Sequence, residues 1–398
     1  MAVQQTLRTV TYRLAITACV ALTMTLFATS VAAASYDDAN FTHWNVRTCP
    51  GLEALVFIGA LSGNKVQHDN YRSEVKHIRS QFDEASLAAL ERLSEVAEIS
   101  GMLIGPNLAL LFSAGPVNTL DDVILSAQQP EARLRPNLEK SKYWDAREWE
   151  WFRDETIPDV LTVLLAMRDA GFESYWHKVA APQLDLRVDL TREYLQRFDI
   201  IPEQERLLGH HLDPEIDVLL LFFSKPYGIR VTGQRFVSHY SYPMETQLRT
   251  ATHEIFHPPF ERGDMSIYAA LEELRLDPWM MSILNDHDPA LGYNTFPELL
   301  DESSTQALEQ IVSNRMGFGW GPGARWRTTD GGMHMLAAAI YQMLREDGFD
   351  KSGGHFSEWL VSAIERGMFK PEEVKRKAAL VVGQPAVDRW PKETKTQP

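Results

Sequence analysis

The run His253-Glu254-Ile255-Phe256-His257 constrains this chain more than any other stretch of its sequence. Read as a helix, it places the two histidines four residues apart on one face, where both imidazoles can reach the same metal ion. Glu254 lies on the neighbouring part of that surface, from which its carboxylate can address a metal-bound water rather than the metal. The run therefore predicts His253 and His257 as metal ligands and Glu254 as a general base.

The residues on either side of the run fit a helix that follows a small sheet. Three short runs rich in β-forming residues, 216–223, 229–232 and 235–240, precede it and predict strands. Pro243 marks the helix start, and Glu245 in the first turn suits the helix dipole. Pro258 and Pro259 end the helix, because a proline disfavours the helical conformation of the residue before it. Residues 234–239 are the candidate edge strand, which could pair with an extended peptide.

Composition and patterning predict a mainly helical α+β protein. Its 398 residues are 44% hydrophobic and 23% charged, which is the balance of a soluble globular protein. Helical spacing dominates residues 35–209, so these predict a helical N-terminal region. Residues 210–383 hold the strands and the His253 helix and predict a catalytic domain, whereas residues 384–398 read as a polar tail.

The first 34 residues have the marks of a secretory signal. Arg8 and Arg13 precede an uncharged apolar run over residues 14–34, which ends in Ala32-Ala33-Ala34. A basic start, an apolar centre and small terminal residues are typical of a cleaved signal peptide and predict export to the periplasm or the medium. The alternative is an uncleaved N-terminal membrane anchor, since about 20 apolar residues can cross a bilayer.

Net charge limits which partners the protein can bind, and cysteine content limits which residues can bind a metal. Cleavage would take Arg8 and Arg13 away and change the formal charge from −15 to −17. Such an acidic protein repels nucleic acid and anionic membranes, so we expect neither as a partner. Only Cys49 would remain after cleavage, which excludes an intrachain disulfide and a cysteine-rich zinc site. The ligands must then be histidines and carboxylates.

A catalytic zinc needs a third protein ligand and leaves one position for water. Glu273 is the strongest candidate, because it follows His257 on the next predicted helix with Asp277 one turn beyond it. The other candidates that stay open are carboxylates and a histidine close by in sequence: Glu272, Asp264, Glu261 and His287.

The stretch from His253 to Asp277 resembles the gluzincin group of zinc metallopeptidases, the thermolysin-like clan. The resemblance covers about 25 residues and implies a zincin-like domain that binds Zn2+ and hydrolyses peptide bonds. It implies His253, His257 and Glu273 as ligands and Glu254 as the general base. Asp277 would orient a ligand histidine by accepting its second ring N–H.

These observations predict an exported zinc metallopeptidase that acts on a peptide or protein substrate. The tetrahedral oxyanion of such a reaction needs a further donor, for which Tyr268 and His334 are candidates. The competing hypothesis is a non-catalytic exported binding or scaffolding protein that keeps the helix for zinc binding or for structure. The sequence leaves the oligomeric state open.

Overall fold

The computed structural model describes residues 41–390, apart from residues 101, 142, 262–264 and 292. The predicted signal segment, residues 1–34, lies outside the described residues, and with it the prediction of export. Residues 391–398 of the predicted tail lie outside them as well.

A four-stranded sheet stands beneath the helix that carries His253 and His257. Its strands are β1 (His43–Arg47), β2 (Glu215–Leu221), β3 (Ile229–Arg230) and β4 (Arg235–His239), in the order β1-β2-β4-β3. β1, β2 and β4 run parallel, and β3 pairs antiparallel with β4. The last four residues of β2 are buried without alternation, as expected of a strand covered on both faces. The three predicted strands are thus confirmed.

Helices before β2 form most of the N-terminal half, as the sequence predicts. They are α1 (Pro50–Leu61), α2 (Lys65–Asn70), α3 (Arg72–Arg79), α4 (Glu84–Ser100), α5 (Ile104–Phe112), α6 (Leu120–Gln128), α7 (Pro130–Arg133), α8 (Arg135–Leu138), α9 (Ala146–Trp151), α10 (Ile157–Asp169), α11 (Phe172–Val179), α12 (Ala181–Leu195) and α13 (Ile201–Leu208). A π-helical turn, Phe152–Thr156, joins α9 to α10. α1 is buried along nearly its whole length and packs against α5 and α6.

Helices also dominate the chain after β4. They are α14 (Met244–Phe256), α15 (Met265–Ala270), α16 (Glu272–Arg275), α17 (Pro278–Asp286), α18 (Phe296–Met316), α19 (Pro322–Thr328), α20 (Met335–Glu346), α21 (Phe349–Ser352), α22 (Phe356–Glu365), α23 (Pro371–Val382) and α24 (Gln384–Val387). Two 3-10 turns, Pro289–Leu291 and Thr329–Gly332, interrupt the series. The prediction of a mainly helical protein with a small sheet is confirmed.

α18 is the central helix of this half. Phe296 and every residue from Leu299 to Ser313 are buried, including a run of polar side chains that begins at Asp301. The helix packs against α14 on one side and against α20 on another. A polar helix surrounded in this way must satisfy its polar groups inside the protein, because unpaired buried groups are costly.

The sheet crosses the domain boundary predicted between residues 209 and 210. β1 lies before that boundary and pairs with β2, which lies after it, with Val46 opposite Val218. From Phe41 onward the chain forms one compact unit. Within the predicted tail, residues 384–387 form α24, and the buried indole of Trp390 donates to the Gly332 carbonyl.

The prediction that residues 234–239 form a sheet edge is wrong. β4 lies between β2 and β3, and the edges are β1 and β3. Among the described helices, none alone is both long and apolar enough to cross a membrane, although α4 and α5, bent by 97°, satisfy that test when taken together.

Candidate metal centre

α14 carries the histidine motif in its last turn. Leu248, Ala251 and Phe256 are buried on its inner side and fix the helix against the core. The helix ends at Phe256, and His257 already has an extended backbone, with φ −75° and ψ 128°. The proline that follows explains this stop, because its ring disfavours a helical conformation at His257.

α18 brings a third candidate ligand to this turn. Thr295 and Glu298 form a reciprocal capping box at its start, in which each side chain accepts from the other's backbone N–H. Asp301 and Glu302 follow within the next turn, on a helix that packs against α14. The capped start therefore fixes the position of both carboxylates relative to the histidines.

Three side-chain atoms converge at the junction of α14 and α18. His253 Nε2 and His257 Nε2 lie 2.9 Å apart. Glu302 Oε2 lies 3.4 Å from His253 Nε2 and 3.3 Å from His257 Nε2. His253, His257 and Glu302 are the only group within the described part of the chain whose ligand atoms lie close enough together to hold a metal ion.

The donor set and its spacing fit zinc. Tetrahedral zinc bonds of about 2.0–2.2 Å to imidazole nitrogen and carboxylate oxygen place neighbouring ligand atoms roughly 3.3–3.5 Å apart. Two of the three separations, 3.3 and 3.4 Å, match that spacing. Glu302 Oε2 is buried and has no well-formed hydrogen bond to any donor. A cation between the three atoms would satisfy this oxygen, which makes the cluster a candidate metal centre.

His257 and Glu302 favour the ionisation states that bind metals, whereas His253 does not. Burial would lower the pKa of His253, but the charge of Glu302 and its contact with this histidine raise it, so His253 would lose a proton when a cation binds. Burial, together with the charge of His253, lowers the pKa of His257 to about 4. Burial alone would raise the pKa of Glu302, but the charge of His253 and contacts with both histidines hold it well below its usual range. A neutral imidazole and an ionised carboxylate are the forms that coordinate a cation.

A second carboxylate orients His257. Asp301 Oδ2 and Thr305 Oγ1 each lie 3.3 Å from His257 Nδ1, the ring nitrogen that faces away from the cluster. An acceptor at Nδ1 favours the tautomer that leaves Nε2 free to bind a metal. Asp301 therefore occupies the place that the resemblance gave to Asp277.

Glu254 opens onto a cavity beside the histidines. The cavity has a volume of about 280 Å³ and is also lined by His257, Gln234, Arg235 and Tyr143. The Glu254 side chain is half-buried, so its carboxylate can meet a molecule that enters from this side. Glu254 thus lies next to the two histidines in the chain and does not belong to the His253, His257 and Glu302 group.

The Tyr293 side chain interacts with Glu302 of the cluster. Burial and the negative charges of Glu302 and Glu254 raise the pKa of the Tyr293 phenol well above its usual value of 10. Its backbone has φ 61°, a conformation that non-glycine residues adopt mainly where their surroundings impose it. Its ring packs edge-on against His334, with 5.9 Å between centroids.

The two predicted oxyanion donors lie in different places. His334 is fully buried, and its Nε2 lies 2.7 Å from Asp330 Oδ2, so this nitrogen is already engaged. Tyr268 lies on α15 and lines another cavity, together with Met265 and Arg275. Tyr293, by contrast, has a side chain that interacts with Glu302 of the cluster.

The structure replaces Glu273 with Glu302 as the third ligand candidate. Glu273 is exposed on α16 and does not belong to the His253 and His257 group. Asp277 is the N-cap of α17, where it accepts from the backbone N–H groups of Trp279 and Met280. It also forms an ion pair with Lys375 at 2.9 Å. Asp277 therefore stabilises a helix end and does not orient a ligand.

The other candidates for the third ligand have different contacts or surroundings, or lie outside the described residues. Glu272 forms an exposed ion pair with Arg275, and Glu261 lines a cavity next to Pro258. His287 is buried, and its Nδ1 lies 3.0 Å from the Ile283 carbonyl oxygen. Asp264 lies outside the described residues.

Glu302 and Tyr293 are the residues that sequence reasoning missed. Nothing in the sequence around Glu302 distinguishes this residue from an exposed acid. The one available signal is the run from Asp301 to Gln306, in which no apolar residue occurs although the helix continues. Tyr293 lies between the 3-10 turn Pro289–Leu291 and α18, and its position follows only from the tertiary fold.

Comparisons of the chain with protein-family models, with curated proteins and with solved structures give no match. The site must therefore be interpreted from its own geometry.

Proposed function

We propose that this protein is a zinc-dependent metallopeptidase with a zincin-like catalytic centre, exported from the cell. The observation that carries the proposal is the convergence of His253 Nε2, His257 Nε2 and Glu302 Oε2 beside a cavity onto which Glu254 opens. Three protein ligands of the types His, His and Glu, with one position left for water, are typical of hydrolytic zinc sites. A purely structural zinc site would use four protein ligands.

The chain's own residues supply the acid and base steps. When bound, zinc would acidify water and polarise the scissile carbonyl. Glu254 would take a proton from the attacking water and pass it to the leaving amine. The Tyr293 hydroxyl would donate to the oxyanion as it forms. Asp301 and Thr305 would keep His257 in the tautomer that presents Nε2 to the site.

Hydrolysis of a fluorescent casein and of a mixed peptide library tests the proposal. Wild type should cleave both substrates, and a chelator should abolish the activity until zinc is restored. Glu254→Gln should keep its metal and lose about 10²–10⁴ in kcat, because it removes the general base without removing a ligand. Zinc-loaded wild type that cleaves no substrate would instead support the non-catalytic binding protein.

A further inference from the structure

Glu302 has a second oxygen, and its partner is well defined. Gln306, one turn further along α18, donates from Nε2 to Glu302 Oε1 at 2.8 Å. Both side chains are buried, Gln306 with 4% and Glu302 with 3% of its surface exposed. Oε1 is thus engaged on the side away from the histidines, while Oε2 faces them.

Trp326 fixes which way the Gln306 amide points. The fully buried indole of Trp326, on α19, donates from Nε1 to Gln306 Oε1 at 2.7 Å. An indole N–H is only a donor and an ionised carboxylate is only an acceptor. The amide oxygen must therefore face Trp326 and the amide nitrogen must face Glu302, so the chain of hydrogen bonds has one direction.

We propose that Gln306 and Trp326 are positioning residues that hold Glu302 as a ligand through one oxygen only. This inference rests on the proposed metal centre. A carboxylate bound through both oxygens must turn Oε1 toward the cation, which would break the hydrogen bond from Gln306. One-oxygen binding keeps the site at three protein ligands and leaves the fourth position for water, as a hydrolytic zinc site requires.

Gln310 provides a matched control on the same helix. It lies one turn beyond Gln306, is equally buried, and is also held by the segment that contains Trp326. It accepts from Arg325 Nη1 at 2.9 Å and donates to the Trp320 carbonyl at 2.8 Å. It has no contact with Glu302, so its loss should disturb the packing between α18 and α19 without freeing the ligand.

Cobalt substitution and zinc competition titration of the full chain test the inference. Co2+ absorbs visible light more strongly with four ligands than with five or six. Gln306→Leu should weaken the visible band and raise the zinc dissociation constant by about 10–100-fold, the usual cost of losing a group that orients a ligand. Trp326→Phe keeps most of the ring volume but removes the indole N–H. It should weaken the visible band and raise the zinc dissociation constant less than Gln306→Leu does.

The outcomes distinguish a failure of the positioning role from a failure of the proposed metal centre. If Gln310→Leu keeps the wild-type spectrum and affinity while Gln306→Leu and Trp326→Phe do not, the positioning role is supported. If Gln306→Leu and Trp326→Phe match wild type in both readouts, the positioning role is overturned and the metal centre stands. Wild type that binds neither Co2+ nor Zn2+ would overturn the proposed function and this inference together.

Discussion

Glu302 Oε2 lies 3.3 Å from His257 Nε2, so that a carboxylate from the middle of α18 meets the histidine that ends α14. The two residues reach each other because α18 is buried along α14 and carries its polar side chains inward. Burying a carboxylate there is costly unless a counter-charge is present. A bound cation can supply this charge, and without one the protonated form of His253, whose pKa is raised, supplies it.

Asp301→Asn tests how His257 is oriented. The change keeps the size of the side chain but removes the charge next to Nδ1, so we expect zinc affinity to fall by about 10–100-fold. Competition with a chromogenic chelator measures this constant. An unchanged affinity would show that Thr305 alone is enough to set the tautomer.

Asp277→Ala tests the role of Asp277 as the N-cap of α17. Losing the N-cap of α17 should lower the free energy of unfolding by about 0.5–2 kcal/mol. Urea unfolding measures this quantity, and zinc affinity should stay at its wild-type value. A large loss of zinc binding without a loss of stability would return Asp277 to the role that the sequence suggested.

Tyr293→Phe tests the proposed oxyanion donor. Removing the hydroxyl should lower kcat by about 10²–10³-fold and change KM much less, since the donor acts on the transition state. Steady-state kinetics on a cleaved peptide gives both constants, and zinc content should not change. Tyr268→Phe is the matched control and should retain wild-type kinetics; the reverse pattern would restore Tyr268 as the donor.

Glu53 gives a prediction about pH and stability. Its buried carboxylate accepts from the backbone N–H groups of Phe222 and Phe223, yet burial dominates and raises its pKa from 4.5 to about 7. Between about pH 4.5 and 7, Glu53 keeps its proton in the folded protein and releases it in the unfolded chain. The contribution of Glu53 to the free energy of unfolding is therefore fully present below about pH 4.5 and is lost as the pH rises toward 7.

Urea unfolding at pH 5 and pH 8 measures this effect. Wild type should lose about 2–3 kcal/mol more unfolding free energy between these values than Glu53→Gln, whose side chain cannot ionise. The difference between the two proteins isolates Glu53 from the other carboxylates. An equal slope in both proteins would contradict the raised pKa.

Short-range sequence patterns predicted the secondary-structure elements that carry the histidine motif. The strands, the helix start at Pro243 and its end before Pro258 follow from β-formers and from proline chemistry. Because these elements position His253, Glu254 and His257, the sequence could predict that these three residues lie close together. The structure keeps all three at one junction.

The third ligand could not be predicted in the same way. Glu302 reaches the histidines through the packing of α18 on α14, a long-range contact that has no period or spacing in the sequence. Choosing Glu273 relied on sequence proximity and on resemblance, and the structure places that residue at the surface. Pairing of β1 with β2 was missed for a similar reason, since its partners lie far apart in the chain.

Metal analysis of the purified full chain tests the central claim most directly. Protein prepared without chelators should carry about one zinc per chain, because the three donors form a single site. Glu302→Gln should lose it, whereas Glu273→Gln, the exposed control, should keep it. Zinc-free wild type, or Glu302→Gln that retains zinc as tightly as wild type, would contradict the account.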